Sequence, residues 1–282
     1  MRNSCGKNTV RTPGKEKTTL CNAAEKMRAA SGRVMRALKE AVYPENVTCD
    51  VCGEELAAAT RYNLCGGCSA VMPFTEGRVC ASCGAPISDE ADFCLRCQRS
   101  DFAFRMNRSA LLYDGAAREL VYSLKFGGKK YIGKLLGAMM SDAFLRFGME
   151  ADIAVPVPMT AEEIKKRGFN QSELLAAETG KRLSLPVLPA LIKAKETVPQ
   201  KELGGRERAE NLKGVFTAAY SEWIRGRKIL LVDDVFTTGA TADECSRTLL
   251  AAGVKSVSVL TAAVTKERLP VEKNGDGFTA VR

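Results

Sequence analysis

Two groups of residues in this 282-residue sequence have the types and spacing for chemistry. The first is a set of four C-x-x-C pairs: Cys49/Cys52, Cys65/Cys68, Cys80/Cys83 and Cys94/Cys97. Two intervening residues let both sulfurs of a pair converge on one ion from a tight turn. Thiolates in a tetrahedral set favour Zn²⁺. The second group is residues 229–241, Ile-Leu-Leu-Val-Asp-Asp-Val-Phe-Thr-Thr-Gly-Ala-Thr. There an apolar run ends in Asp233 and Asp234, and Thr237, Thr238, Gly239, Ala240 and Thr241 open a helix. Hydroxyls, a close-approach glycine and free backbone N–H groups at a helix start make a receptor for a phosphate monoester dianion. Two carboxylates cannot face that dianion without repulsion, but they suit the hydroxyls of an adjoining sugar.

The composition narrows the chemistry further. The chain has no histidine, which excludes a Ser-His-Asp triad, a Cys-His dyad and any His-ligated metal. Neither G-x-x-x-x-G-K-[ST] nor G-x-G-x-x-G occurs, which disfavours P-loop and Rossmann sites. Pairing the cysteines in order gives spacers of 12 and 10 residues and two four-cysteine sites. Both spacers are shorter than the roughly 15–20 residues of the common ribbon template. A cross-braced pairing uses the same eight residues, and four thiolates also serve iron–sulfur clusters. Structural zinc, about two ions per chain, is the favoured reading. Gly53, Gly84 and the Gly66-Gly67 step are expected to supply the positive φ such knuckles need. Cys245 shares a helix face with Ala242 and Leu249 and reads as core.

These groups need elements to position them. Lys228–Asp234 is a continuous apolar run of strand length, the pattern of a parallel strand covered on both faces. Ile153–Val157 and Ser256–Val264 read as further buried strands, and Leu191–Lys195 as a short one. Helical periodicity marks 115–126, 131–147 and Ser172–Leu183, and Thr241 with Glu244 fits a T-x-x-E capping box. Strand–helix–strand alternation implies βαβ units, an α/β fold with a parallel sheet flanked by helices. The expected domains are a flexible basic tail at 1–33, a small zinc module at 34–100 opening with a helix at 34–43, and an α/β domain at 101–282. Organised sequence begins near Met27 or Met35, so either reads as a natural start; Cys5 and Cys21 precede it without partners at ligand spacing.

Net charge is +9, and residues 1–40 alone carry 10 basic and 3 acidic residues. Residues 41–100 carry 4 and 8, so the cysteine block is acidic and not a phosphate-tracking surface. Lys125, Lys129, Lys130 and Lys134, with Phe126 and Tyr131 between them, have the composition of a strand-tracking patch, although such a pattern is more often a solvated face. No signal-peptide core and no run of about 18 apolar residues is present, so the expected setting is the cytoplasm without membrane insertion.

Residues 229–241 resemble the phosphoribosyl-pyrophosphate (PRPP) motif of type I phosphoribosyltransferases. Residues 109–265 resemble one branch, the ComF/ComFC (GntX-like) family linked to competence and DNA uptake. That resemblance is carried by Tyr113-Asp114-Gly115, Leu124-Lys125-Phe126-Gly127-Gly128, Val155-Pro156-Val157-Pro158, Arg167-Gly168-Phe169-Asn170-Gln171, Gln200-x-x-Leu203 and Arg208-x-x-Asn211. The cysteine block resembles the double zinc ribbon of the same proteins. The resemblance implies a phosphoribosyltransferase-like fold and a PRPP site. Asp233 and Asp234 would hold the ribose and act in catalysis, and Thr237 through Thr241 would hold the 5′-phosphate. The loop after Val157-Pro158, with Lys165, Lys166 and Arg167 near it, would cradle pyrophosphate with Mg²⁺. Asn170 and Gln171 would order over the ligand about a hinge at Gly168. Glu162 and Glu163 stand where relatives often add basic residues. A non-catalytic PRPP or nucleotide sensor and an adaptor for single-stranded DNA or competence proteins are the alternative functions.

Overall fold

The computed structural model describes residues 47–266 except 59, 89, 195–211 and 213. The expectations for the basic tail, the 34–43 helix, the start at Met27 or Met35, Cys5, Cys21, Gln200, Leu203, Arg208 and Asn211 lie outside the described residues.

The described chain opens with two knuckles that carry short helices, α1 (Gly66–Ala70) and α2 (Leu95–Gln98). An α/β domain follows: β1 (Asn107–Leu112), α3 (Gly115–Phe126), α4 (Ile132–Arg146), β2 (Ile153–Pro156), α5 (Ala161–Arg167) and α6 (Gln171–Leu183). It continues with β3 (Leu191–Lys193), β4 (Phe216–Ala218), α7 (Ser221–Ile224), β5 (Lys228–Phe236), α8 (Ala240–Ala251) and β6 (Ser256–Val264). Four strands form a parallel sheet in the order β1-β6-β5-β2, and β3 and β4 pair antiparallel beside it.

The apolar run at 228–236 forms β5 because it lies between β6 and β2 with helices on both faces. Successive side chains of a strand point to opposite faces. Leu230 and Val232 accordingly enter one core with α3, α4 and α6, and Ile229 and Leu231 enter the other with α8. The strand runs two residues beyond Asp234, because backbone pairing with β6 continues to Phe236↔Val264. Asp233 therefore sits within the ladder, opposite Thr261, rather than past its end.

Helix α3 follows from its apolar spacing: Ala117, Leu120, Val121 and Leu124 are buried along one stripe, and Asp114 caps its start by accepting from Gly115 N–H at 2.9 Å. Helices α4 and α6 approach closely because Gly133 and Gly137 lack side chains. A Cβ on either would lie 2.6 Å from Leu174 or Glu178 of α6.

The two knuckles dock on opposite faces of the sheet. Cys49, Leu64 and Met72 belong to the core under α3 and α4, whereas Cys80, Cys83, Cys94 and Cys97 belong to the core under α8. The cysteine block thus lends apolar surface to both cores. Gly53 and Gly84 hold positive φ as expected, but Gly66 and Gly67 lie inside α1 and do not. Cys245 is fully buried in the second core, in agreement with the sequence. Among the described residues, no helix is long and apolar enough to cross a membrane.

Candidate functional site

The eight cysteines gather in sequence order. Cys49, Cys52, Cys65 and Cys68 form one set, and Cys80, Cys83, Cys94 and Cys97 the other, with the sulfurs of each set within 4.8 Å of one another. This excludes the cross-braced pairing. The Sγ atoms of Cys52 and Cys65, and of Cys83 and Cys94, are 3.6 Å apart. That is too far for a disulfide and close to the edge of about 3.8 Å expected for a tetrahedron with Zn–S near 2.3 Å. Backbone N–H groups of Cys68 and Cys94 point at Sγ of Cys65 and Cys80 (3.4 Å each), a second layer that offsets thiolate charge. Both donor sets fit zinc. They differ in exposure: all four cysteines of the second set are buried, while Cys52 of the first is exposed.

The carboxyl end of β5 opens a second kind of site. A cleft of about 390 Å³ is lined by Tyr113, Lys125, Gln171, Asp233, Asp234, Thr237, Gly239, Ala240, Thr241 and Thr261, among others. Ligands of open α/β sheets bind in this position. The loop reaches α8 through Gly239, which holds φ +87 as the N-terminal cap; a Cβ there would meet the Phe236 ring at 2.8 Å and Phe102 at 3.0 Å. Only glycine fits both the conformation and the space. The predicted capping box does not form, since the helix begins at Ala240 and the Glu244 carboxylate accepts from Gly214 N–H at 2.8 Å. Gly239 caps α8 without a side chain, and the positive N-terminal end of the helix meets the threonine-rich loop as an anion-binding end.

The two acids have different surroundings. Asp234 is 4% exposed, and its Oδ1 is paired with Lys125 Nζ at 2.9 Å. Its Oδ2 is buried with no hydrogen-bond partner among the described residues. Asp233 accepts from Ser172 Oγ at 2.8 Å and from Asp234 N–H at 2.9 Å. Burial, and then the charge of Asp234, push the Asp233 carboxyl up to about 7, against the opposing pull of Lys125. Burial works to lower Lys125, but the charge of Asp234 and the hydrogen bond to it outweigh burial and hold the ammonium above its usual range.

A pH dependence follows. The unfolded chain releases the Asp233 proton near 3.8, whereas the native protein keeps it to about 7. Between those values the native state binds more protons, so this group's contribution to stability falls as pH rises through the window and is flat above it. The melting temperature of Asp233→Asn should therefore gain on the wild type between pH 5 and pH 8. Parallel curves across that range would contradict this account of the site.

Other predicted residues are placed less directly. Thr238 is not among the cleft-lining residues; its Oγ1 accepts from Ala240 N–H at 3.4 Å and shapes the turn. Asn170 is 3% exposed and caps α6 by accepting from Ser172 N–H, while its Nδ2 donates to the Val157 carbonyl. Its amide is committed to the backbone, and Gln171 alone of that pair lines the cleft. Gly168 ends α5 at φ +88, the left-handed turn that joins α5 to α6. Lys166 and Arg167 line a neighbouring cleft of about 340 Å³ with Lys125, Phe126, Met159 and Glu163. Arg167 reaches back through a 2.7 Å hydrogen bond to Gln171 Oε1. Glu163 is used in a capping box with Thr160 and in a 2.7 Å ion pair with Lys193.

Sequence reasoning missed Lys125 as a site residue by grouping it with a lysine patch. Its place in Leu-Lys-Phe-Gly-Gly, one residue from the end of a helix, was the available clue. Thr261 gave no clue at all, because only strand register brings it beside Asp233.

The double zinc ribbon domain family matches residues 38–98. Competence protein F of Haemophilus influenzae is 29% identical over 221 residues, covering 76% of this chain and 95% of that protein. Competence protein ComFC of Bacillus subtilis is 29% identical over 203 residues, covering 70% and 81%. Among solved structures, glutamine PRPP amidotransferase from B. subtilis overlaps at TM-score 0.35 and 19% identity, over 49% of this chain and 30% of that one, a partial likeness only. The chain is similar to these competence proteins over most of its length, with a double zinc ribbon match set ahead of a parallel α/β domain.

Proposed function

We propose that this protein binds PRPP with Mg²⁺ at the carboxyl end of β5, and that zinc holds the ribbons that flank the domain. One observation carries the reading: Asp233, Asp234 and the loop residues Thr237, Gly239, Ala240 and Thr241 line a single cleft, in which Asp234 keeps a buried, unpartnered oxygen. A buried acceptor without a donor is costly unless a ligand supplies one, and the ribose hydroxyls of PRPP would do so. The 5′-phosphate would take the loop hydroxyls and the N-terminus of α8. Pyrophosphate would lie toward Lys125, the cation shared with the neighbouring cleft, with Lys166 and Arg167 beyond. Among the described residues, only the two cysteine sets gather three or more ligating side chains. Mg²⁺ would therefore arrive held mainly by the oxygens of PRPP, whose leaving charge it neutralises.

Transfer would break the C1′–pyrophosphate bond and form a bond from C1′ to an acceptor. The chain has no histidine to take the acceptor's proton, and Asp233, which lines the cleft and titrates near neutrality, matches that task. The competence proteins among the relatives support a setting in DNA uptake.

PRPP with Mg²⁺ at about 100 times Kd should stabilise the protein by roughly 2.7 kcal/mol and raise its melting temperature by about 5–10 °C. Asp233→Asn with Asp234→Asn should abolish the shift. No shift in the unmutated protein at millimolar PRPP would reject the site. A second reading, single-stranded DNA binding, is favoured by exposed Tyr122, Phe126 and Tyr131 beside Lys129 and Lys130. Aromatic platforms contribute about 1–3 kcal/mol per stacked base. Phe126→Ala with Tyr131→Ala should then weaken single-stranded DNA binding at least tenfold by fluorescence anisotropy. Loss only on removal of residues 1–40 would assign the affinity to the basic tail.

A further inference from the structure

The second cysteine knuckle touches the candidate phosphate loop directly. Arg96, between ligands Cys94 and Cys97, donates through Nη1 to the Thr237 carbonyl, and its guanidinium lies over the Phe236 ring, 5.8 Å from the centroid. The segment leaving the knuckle continues the contact. Ala103 N–H donates to Asp243 of α8 at 2.7 Å, and Arg247 Nη2 donates to the Asp101 carbonyl at 3.0 Å. Phe102 meets Phe236 edge-on at 6.4 Å and closes over Gly239. A buried polar chain runs beneath as well. Asn107 Nδ2 donates to the Cys83 carbonyl at 2.8 Å and to Ser109 Oγ at 3.2 Å, and Ser109 Oγ meets cleft residue Thr261 at 2.6 Å. The first knuckle has no counterpart among the described residues; Arg61 and Tyr62 tie it to Asp142 of α4, on the other face.

From these contacts we infer that Arg96 is a positioning residue that couples the second cysteine site to the 237–241 loop. The metal holds the knuckle, the knuckle aims Arg96, and Arg96 fixes the carbonyl of Thr237 so that the loop's N–H groups and hydroxyls face the cleft. Coupling between two binding sites is reciprocal. Metal in the second site thus tightens binding at the loop, and ligand at the loop slows metal loss from that site while leaving the first unaffected. The ligand arm rests on the PRPP reading above; the loop-ordering arm does not.

The test uses the zinc-loaded full chain and the variants Arg96→Met, Arg96→Lys and Arg61→Met. Zinc content and circular dichroism establish that each variant is folded and loaded. Arg96→Met should speed amide exchange across 237–241 at least tenfold and weaken PRPP–Mg²⁺ at least tenfold. Arg96→Lys should fall between, and Arg61→Met should match the wild type in both. Arg96→Met that keeps its zinc and leaves loop exchange within twofold of the wild type would overturn the inference. Failure of the wild type to bind PRPP would reject the PRPP reading, and loop exchange in Arg96→Met would still decide this one. Should Arg96→Met lose its zinc, Arg96→Lys and wild-type zinc release to a chelator decide instead. Release of one zinc slowed at least threefold by PRPP–Mg²⁺ supports the coupling; two releases equally unaffected reject it.

Discussion

Replacing Cys83 with serine will collapse the face of the sheet that carries α8 as well as the knuckle that contains the residue. A closed four-thiolate zinc site supplies roughly 10–16 kcal/mol of apparent binding energy to a module too small to fold alone. In this protein the four cysteines of the second site are buried in the same core as Ile229, Leu231 and Val259, so losing the metal also strips cover from the central strands. The first site is open by comparison, with Cys52 exposed. A chelator should therefore remove zinc in two steps from a chain that starts with two. The early step, from the first site, should leave most of the α/β domain intact. The late step should coincide with loss of its helical signal. Metal analysis beside circular dichroism reads both quantities. One zinc per chain, iron in place of zinc, or loss of both ions with an unchanged melting curve would each contradict the account.

Lys125→Met should be the most destabilising single change in the candidate cleft. Asp234 is nearly inaccessible and its partner is the Lys125 ammonium at 2.9 Å. Removing one member of a buried pair leaves an uncompensated charge and costs about 3–5 kcal/mol. For a protein of this size that is a fall of about 6–20 °C in melting temperature. Pairing Lys125→Met with Asp234→Asn should recover most of the loss, since Asp234 is then no longer a buried carboxylate without its partner. Recovery of stability without recovery of the PRPP shift would separate the pair's structural worth from its part in binding. A single variant that melts within about 2 °C of the wild type would mean the pair is solvated in solution and the charge account of the cleft is wrong.

Stored cost at this cleft fits a binding role. Two carboxylates one residue apart, one of them raised toward neutrality and the other with an unpartnered oxygen, are poor choices for stability alone. Sites that must receive charge and hydroxyls keep such arrangements at the expense of the resting fold.

Local chemistry was legible before the fold was known. The C-x-x-C spacing specified which cysteines share a turn, because two intervening residues leave few geometries. The segment Lys228–Asp234 read as a buried strand, because its short aliphatic run, Ile229–Val232, has strand length and ends in acids before a glycine-containing loop. The α3 stripe and the β6 strand were likewise readable from periodicity. Helix starts were less so. Thr241 and Glu244 fit a capping box, but Gly214 donates to Glu244 instead, and a glycine at φ +87 caps the helix two residues earlier. Asn170 looked like a ligand amide but is occupied within the fold, its Oδ1 accepting from Ser172 N–H as a cap and its Nδ2 donating to a carbonyl 13 positions earlier in the chain.

Residue types and short spacings by themselves determined the metal ligands, the parallel-strand core and the acid-then-threonine loop, since each depends on interactions within a few positions of the chain. Tertiary structure alone decided that Lys125 meets Asp234, that Thr261 stands opposite Asp233, and that Arg96 reaches Thr237 across 141 positions. Those contacts arise from strand register and from the face on which each knuckle docks, and both are settled by packing the whole chain around two shared cores.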